Sequence, residues 1–168
     1  MDYICDALNR SGYKVHLVSP SWFIDTLTKV KFHSKSVQQL NENKKLTLVA
    51  SIGTSNKWTR NIKIIGSLLW LFIWLLANTK RSEKIVVYHS PWLALPILLA
   101  KKIKRFHLIL EVEEIYSDVS SLHPYFDKLE QKIFSLADSF LFSTELLAKR
   151  LNAKKPYVVI YGNYKVYK

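Results

Sequence analysis

Short runs of β-branched and aromatic residues alternate along this chain with longer stretches whose apolar positions recur at helical spacing. The pattern predicts strands at residues 14–19 (KVHLVS), 45–50 (KLTLVA), 84–88 (KIVVY), 107–112 (HLILEV), 139–143 (SFLFS) and 157–161 (YVVIY). Most of these are nearly continuous apolar runs, as parallel strands covered on both faces by helices require. Helices are predicted at residues 2–10, 61–78, 92–104, 125–136 and 145–151, with Ser11-Gly12 ending the first and Gly12 as its C-cap. Pro124 suits the first turn of the fourth helix, and Ser143 or Thr144 the N-cap of the fifth. Such alternation implies right-handed crossovers and an α/β fold, a Rossmann-like parallel sheet with helices on both faces.

No internal repeat or Pro/Ser-rich linker interrupts this rhythm, and 168 residues fit one domain, expected to span residues 1–164 with 165–168 opening a linker. A doubly wound domain normally starts on the strand that feeds its first helix. Here the chain opens on that helix and closes on a strand followed by Gly162-Asn163-Tyr164, so a missing first strand and a missing continuation are expected.

Composition narrows the class. Half of the residues are apolar, enough to bury a core and to exclude intrinsic disorder. Cys5 is the only cysteine, which excludes an intrachain disulfide framework and favours a reducing, cytoplasmic setting. The first 24 residues lack the apolar core of a signal peptide. With 25 Lys and Arg against 13 Asp and Glu, the formal charge of +12 favours a polyanionic partner: nucleic acid, an anionic membrane surface or a phosphorylated small molecule.

Residues 64–77 (IIGSLLWLFIWLLA) carry no charge, but 14 residues fall short of the roughly 20 that a spanning helix needs. A helix buried against the sheet or lying at a membrane interface is expected instead. Trp70 and Trp74 fall on one face, Lys63 precedes the run, and Lys80 and Arg81 follow it. A basic-flanked, Trp-bearing helix that is apolar all round suits an anionic membrane surface, with those five residues as its contacts. The basic residues flank apolar helices and form no polar groove with interleaved aromatics, so nucleic acid is not the expected partner.

Four glycines, at positions 12, 53, 66 and 162, allow neither a dinucleotide fingerprint nor a phosphate-binding P-loop. Cysteine and histidine spacing offers no zinc site, and no cofactor is expected. What remains is a set of polar groups at predicted strand ends, where open α/β sheets bind ligands. His89 follows the third strand; Glu111, Glu113, Glu114 and Tyr116 lie at the end of the fourth; Thr144 follows the fifth and Gly162-Asn163 the sixth. In so basic a chain the acidic run stands out. Glu111 and Glu113 share one side of an extended segment, while Glu114 faces elsewhere. Such carboxylates can accept a proton or hydrogen bond from a sugar hydroxyl, or can cap the next helix and pair with the basic residues at 101–105.

Tyr3-Ile4-Cys5-Asp6-Ala7-Leu8 with Gly12-Tyr13-Lys14-Val15 and Leu17-Val18-Ser19-Pro20, then Val87-Tyr88-His89-Ser90, then Leu108 to Tyr116 with its E-x-E-E-x-Y core, form a recognisable series. They resemble segments of bacterial GT-B glycosyltransferases, in particular family-4-like enzymes of capsule and exopolysaccharide synthesis. Ala137-Asp138-Ser139 leading to Ser143-Thr144, and Val159-Ile160-Tyr161-Gly162-Asn163-Tyr164, are similar as well.

The resemblance implies the acceptor-side, N-terminal half of a two-domain enzyme. A nucleotide sugar would be bound by an absent C-terminal donor domain, and a glycan or lipid-linked acceptor by this half, peripherally at the inner face of the plasma membrane. On that basis His89, Glu113 and Glu114 would serve catalysis, and Glu111, Tyr116, Thr144, Gly162 and Asn163 would bind the acceptor. The family's first strand and its glycine-bearing loop have no counterpart here, so this half alone is expected to be inactive. A non-catalytic, membrane-associated subunit that recruits a separate donor subunit, and a truncated remnant, are the alternatives.

Overall fold

The structure is a computed structural model and describes residues 2–20, 34–50, 56–119 and 123–161. The chain divides into two compact units, 1–71 and 72–168.

The first unit opens with α1 (Asp2–Arg10). The helix stops in a Schellman motif: Gly12 N–H donates to the Asn9 carbonyl and Tyr13 N–H to that of Leu8, with Gly12 at φ +83°. Only a residue without a Cβ adopts that angle freely, which is why Gly12 marks the helix end in the sequence. Three strands follow, β1 (Val15–Ser19), β2 (Ser36–Asn41) and β3 (Lys44–Leu48), in the order β1-β3-β2. β1 and β3 are parallel, as predicted, whereas β2 pairs antiparallel with β3 across a tight turn at Glu42-Asn43. Sequence patterning misses β2 because SVQQLN has two large apolar residues, Val37 and Leu40, and both are exposed.

The long helix α2 covers Lys57–Asn78, 22 residues against the expected 18. By length and composition it is able to cross a membrane, so the shortness of the uncharged run at 64–77 does not exclude a spanning helix. Nor is the helix uniform around its axis. Ser67, Leu71, Leu75 and the following Thr79 form a buried stripe, while Trp58, Ile62, Ile65, Leu69 and Ile73 form an exposed one.

The second unit holds a four-stranded sheet. β4 (Lys84–Tyr88), β5 (His107–Val112), β6 (Ser139–Phe142) and β7 (Tyr157–Val159) lie in sequence order, and every neighbouring pair is parallel. The connections run through α3 (Pro91–Lys104), α4 (Tyr116–Val119), α5 (Pro124–Leu136) and α6 (Glu145–Arg150). This is the predicted α/β architecture, a parallel sheet flanked by helices and compatible with a Rossmann-like half-domain. Its core is built on β5, where Leu108, Leu110 and Val112 are fully buried together with Phe106, Ile133 and Phe142. A strand enclosed in this way needs an apolar residue at nearly every position. Glu111 in that strand is therefore an exception that calls for a reason.

Candidate functional site

Parallel pairing aligns the carboxyl ends of the strands. Tyr88 at the end of β4 is in register with Glu111 of β5, and the His89 N–H continues the ladder to the Glu111 carbonyl at 2.8 Å. On the other side of β5, Ser143 N–H donates to the Val112 carbonyl at 3.2 Å. The loop after β5 thus lies between the ends of β4 and β6, and it carries the acidic run.

Four of the expected residues come together there, with Tyr88 added. Glu113 is exposed and accepts a hydrogen bond from the Tyr88 hydroxyl at 3.1 Å. Burial, that hydrogen bond and the Glu113 charge push the Tyr88 pKa up to about 12. Tyr116 is raised as well, first by burial and then by the charge of Glu114. Glu111 is buried, which raises its carboxyl pKa and favours the protonated form. The loop therefore combines an exposed carboxyl group, a buried one biased toward the acid and two phenols held neutral. These are the groups needed to exchange hydrogen bonds and a proton with a polyol.

His89 lies behind this surface, only 2% exposed. Its ring packs between Phe134 and Tyr116, with centroids 4.7 and 5.5 Å away. Nδ1–H donates to the Glu114 carbonyl at 3.2 Å, and Nε2 lies 3.3 Å from Oε1 of Glu130. Desolvation lowers the His89 pKa, against the opposing pull of the Glu130 charge. With both nitrogens turned inward, the imidazole holds the Glu114 loop in place; in this geometry it makes no contact at the surface, where catalytic contact was expected.

Glu130 is the residue that sequence reasoning overlooks. Fully buried on α5, it accepts the Tyr116 and Ser117 N–H groups at 2.9 and 3.0 Å and faces His89. It thereby anchors the start of α4 and the loop before it, as a carboxylate at a helix N-terminus does. The signal was present in the periodicity: Phe126, Glu130, Ile133 and Phe134 share one helical face, so a carboxylate stands in the apolar stripe.

The other expected residues lie elsewhere. Thr144 occupies the N-cap position of α6, but its side chain makes no capping bond and is exposed at the end of β6. Gly162 and Asn163 lie outside the described residues. On α2, Trp70 and Trp74 are half-buried and not on the outward stripe, and Lys35 sits 5.8 Å over the Trp70 ring. Lys63 is half-buried, with its pKa lowered by that burial. Lys80 and Arg81 are exposed in the turn after the helix, where Lys80 N–H donates to Glu83 at 2.8 Å. The large exposed apolar side chains of α2 are Trp58, Ile62, Ile65, Leu69 and Ile73, with Lys57 and Arg60 beside them. Among the described residues, no three metal-ligating side chains converge. No protein-family model matches the chain, and no curated protein matches it.

Proposed function

We propose that this chain is the acceptor-binding domain of a GT-B-type glycosyltransferase that moves a sugar from a nucleotide sugar to a membrane-associated or polysaccharide acceptor. The observation that carries the reading is the Glu111–Tyr116 loop, whose carboxyl groups and tyrosines stand where parallel α/β sheets bind their ligands. In this reading Glu113 and Glu114 meet an acceptor hydroxyl, with Glu113 as the general base. Glu111, Tyr116 and Thr144 line the acceptor side, and His89 with Glu130 positions the loop.

The chain has no glycine loop for phosphates, so donor binding falls to a second domain and catalysis to electrostatics across the two. The outward apolar stripe of α2, with Lys57 and Arg60, supports a peripheral place at an anionic membrane on the cytoplasmic side.

The test starts from the DNA on both sides of the coding region. An in-frame or frameshifted donor domain, or an adjacent gene for one, is expected. The combined protein should then transfer label from nucleotide sugars to membranes, while the 168-residue chain alone does not. Glu113→Gln in the combined protein should lower transfer on the order of 100-fold or more, the range for a lost general base. Flanks without any donor domain, or undiminished transfer by Glu113→Gln, would contradict the reading.

A further inference from the structure

The opposite end of the β4–β7 sheet has a second feature that the proposed function does not use. A cleft of 830 Å³ opens between α3 and α5, below the amino ends of β4 and β5. Its walls are two helical stripes, Leu95 and Leu99 of α3 facing Leu129 and Leu136 of α5, with Leu98 and Phe106 buried at the back. Five Lys and Arg side chains line it against one carboxylate, Asp138. That carboxylate is already taken: it accepts from Lys101 and, at 2.7 Å, from the Leu108 N–H. Lys84, Lys102, Arg105 and Lys132 remain exposed, with no carboxylate partner among the described residues. Cations at the end of α3 complement its dipole, but that equals only about half a charge. Arg105 also holds the left-handed C-cap position, φ 56°, where glycine is the usual residue.

The apolar surface continues beyond the cleft. Trp92, Leu95, Leu99 and Ile103 recur along the outer side of α3 and are 42 to 59% exposed. A soluble phosphate ester would use the cations and leave this stripe in water. A nucleotide would need a stacking surface, and the aromatic ring lining the cleft, Phe106, is buried. Unpaired cations beside a contiguous apolar ridge complement one chemistry best: a phosphate headgroup attached to an acyl chain.

We propose that the α3–α5 cleft is a binding site for an anionic phospholipid of the membrane, with the phosphodiester on Lys102, Arg105, Lys84 and Lys132 and the acyl chain along Leu95, Leu99 and Ile103. This deepens the membrane part of the proposed function without depending on sugar transfer. Vesicle binding and glycosyl transfer can therefore fail separately.

Sedimentation of the 168-residue chain with phosphatidylcholine vesicles, with and without phosphatidylglycerol, tests it. Binding should require phosphatidylglycerol. K102Q with R105Q should weaken it roughly 25-fold, at about fivefold per charge. Leu95→Asn with Leu99→Asn should weaken it too, while K57Q with R60Q on α2 should cost less than the α3 charge pair. Should a variant fail to fold, hydrogen exchange on the unmutated chain gives the same answer, with vesicles expected to protect residues 95–105. Undiminished binding by K102Q with R105Q, protection confined to α2, or displacement from vesicles by millimolar glycerol 3-phosphate would each overturn the assignment.

Discussion

At the carboxyl end of the β4–β7 sheet the chain gathers Glu111, Glu113 and Glu114, whereas at the amino end it gathers Lys84, Lys102, Arg105 and Lys132. Part of this segregation follows from the fold. In a βαβ unit each helix runs against its strands, so its positive end lies at the strands' carboxyl ends and its negative end at the other. The dipoles favour the sign seen at each end but not the degree of burial. Glu130 at the acidic end is enclosed, hydrogen-bonded to two N–H groups and set against His89. The cations at the basic end stay in water. One end is fastened into the core, and the other is held open.

The sharpest way to break this contrast is to remove a charge from each end and compare stabilities. Glu130→Ala strands the part-buried Tyr116 and Ser117 N–H groups, so denaturant unfolding should show a loss of about 3 kcal/mol. Asp138→Asn forfeits the charge of the Lys101 pair but keeps an acceptor for Leu108 N–H; about 1 kcal/mol is expected for this half-exposed group. Lys102→Ala should stay within about 0.5 kcal/mol in the same measurement. Equal losses from Glu130→Ala and Lys102→Ala would mean that the two ends are fastened alike.

Acidity sharpens the comparison further. The folded-state pKa of His89 is lowered, so between its unfolded value of 6.5 and that lower value the unfolded chain binds the extra proton. Stability from this group is complete above pH 6.5 and declines as pH falls through the folded value. Asp138 has the same sign below 3.8: burial opposes ionisation, but Lys101 and the Leu108 N–H outweigh it. Glu111 has the opposite sign, since its raised pKa adds stability below its unfolded value that is lost as pH rises through the folded one. Unfolding midpoints measured from pH 7 to pH 5 should therefore fall more steeply for the unmutated chain than for His89→Gln. Identical slopes would mean that His89 titrates alike in the folded and unfolded chain.

Where the sequence speaks clearly, a single physical demand fixes each residue. The runs at 84–88 and 107–112 match β4 and β5 residue for residue: both are nearly continuous apolar runs, and β5, enclosed between β4 and β6, tolerates few polar positions. Gly12 marks a helix end because its φ is positive. β2 is silent because an edge strand exposed on both faces has no such demand. At the site, the acidic loop is legible from spacing and Glu130 from its place in the apolar stripe of α5, but the burial of His89 and its approach to Glu130 depend on packing between α5 and the sheet, which no local window contains. The cationic cleft is hidden for the same reason. Its residues come from β4, α3, the turn before β5, and α5, and only the fold brings them together.

Backbone amide NMR of the 168-residue chain tests the division of labour between the two ends most directly. The spectrum would be titrated first with short-chain phosphatidylglycerol and then with hexose disaccharides. The lipid is expected to shift amides in 95–105 and 129–136, and the saccharide those of 88–89 and 111–117. Lipid and saccharide moving the same amides, or saccharide moving none near Glu113, would contradict it.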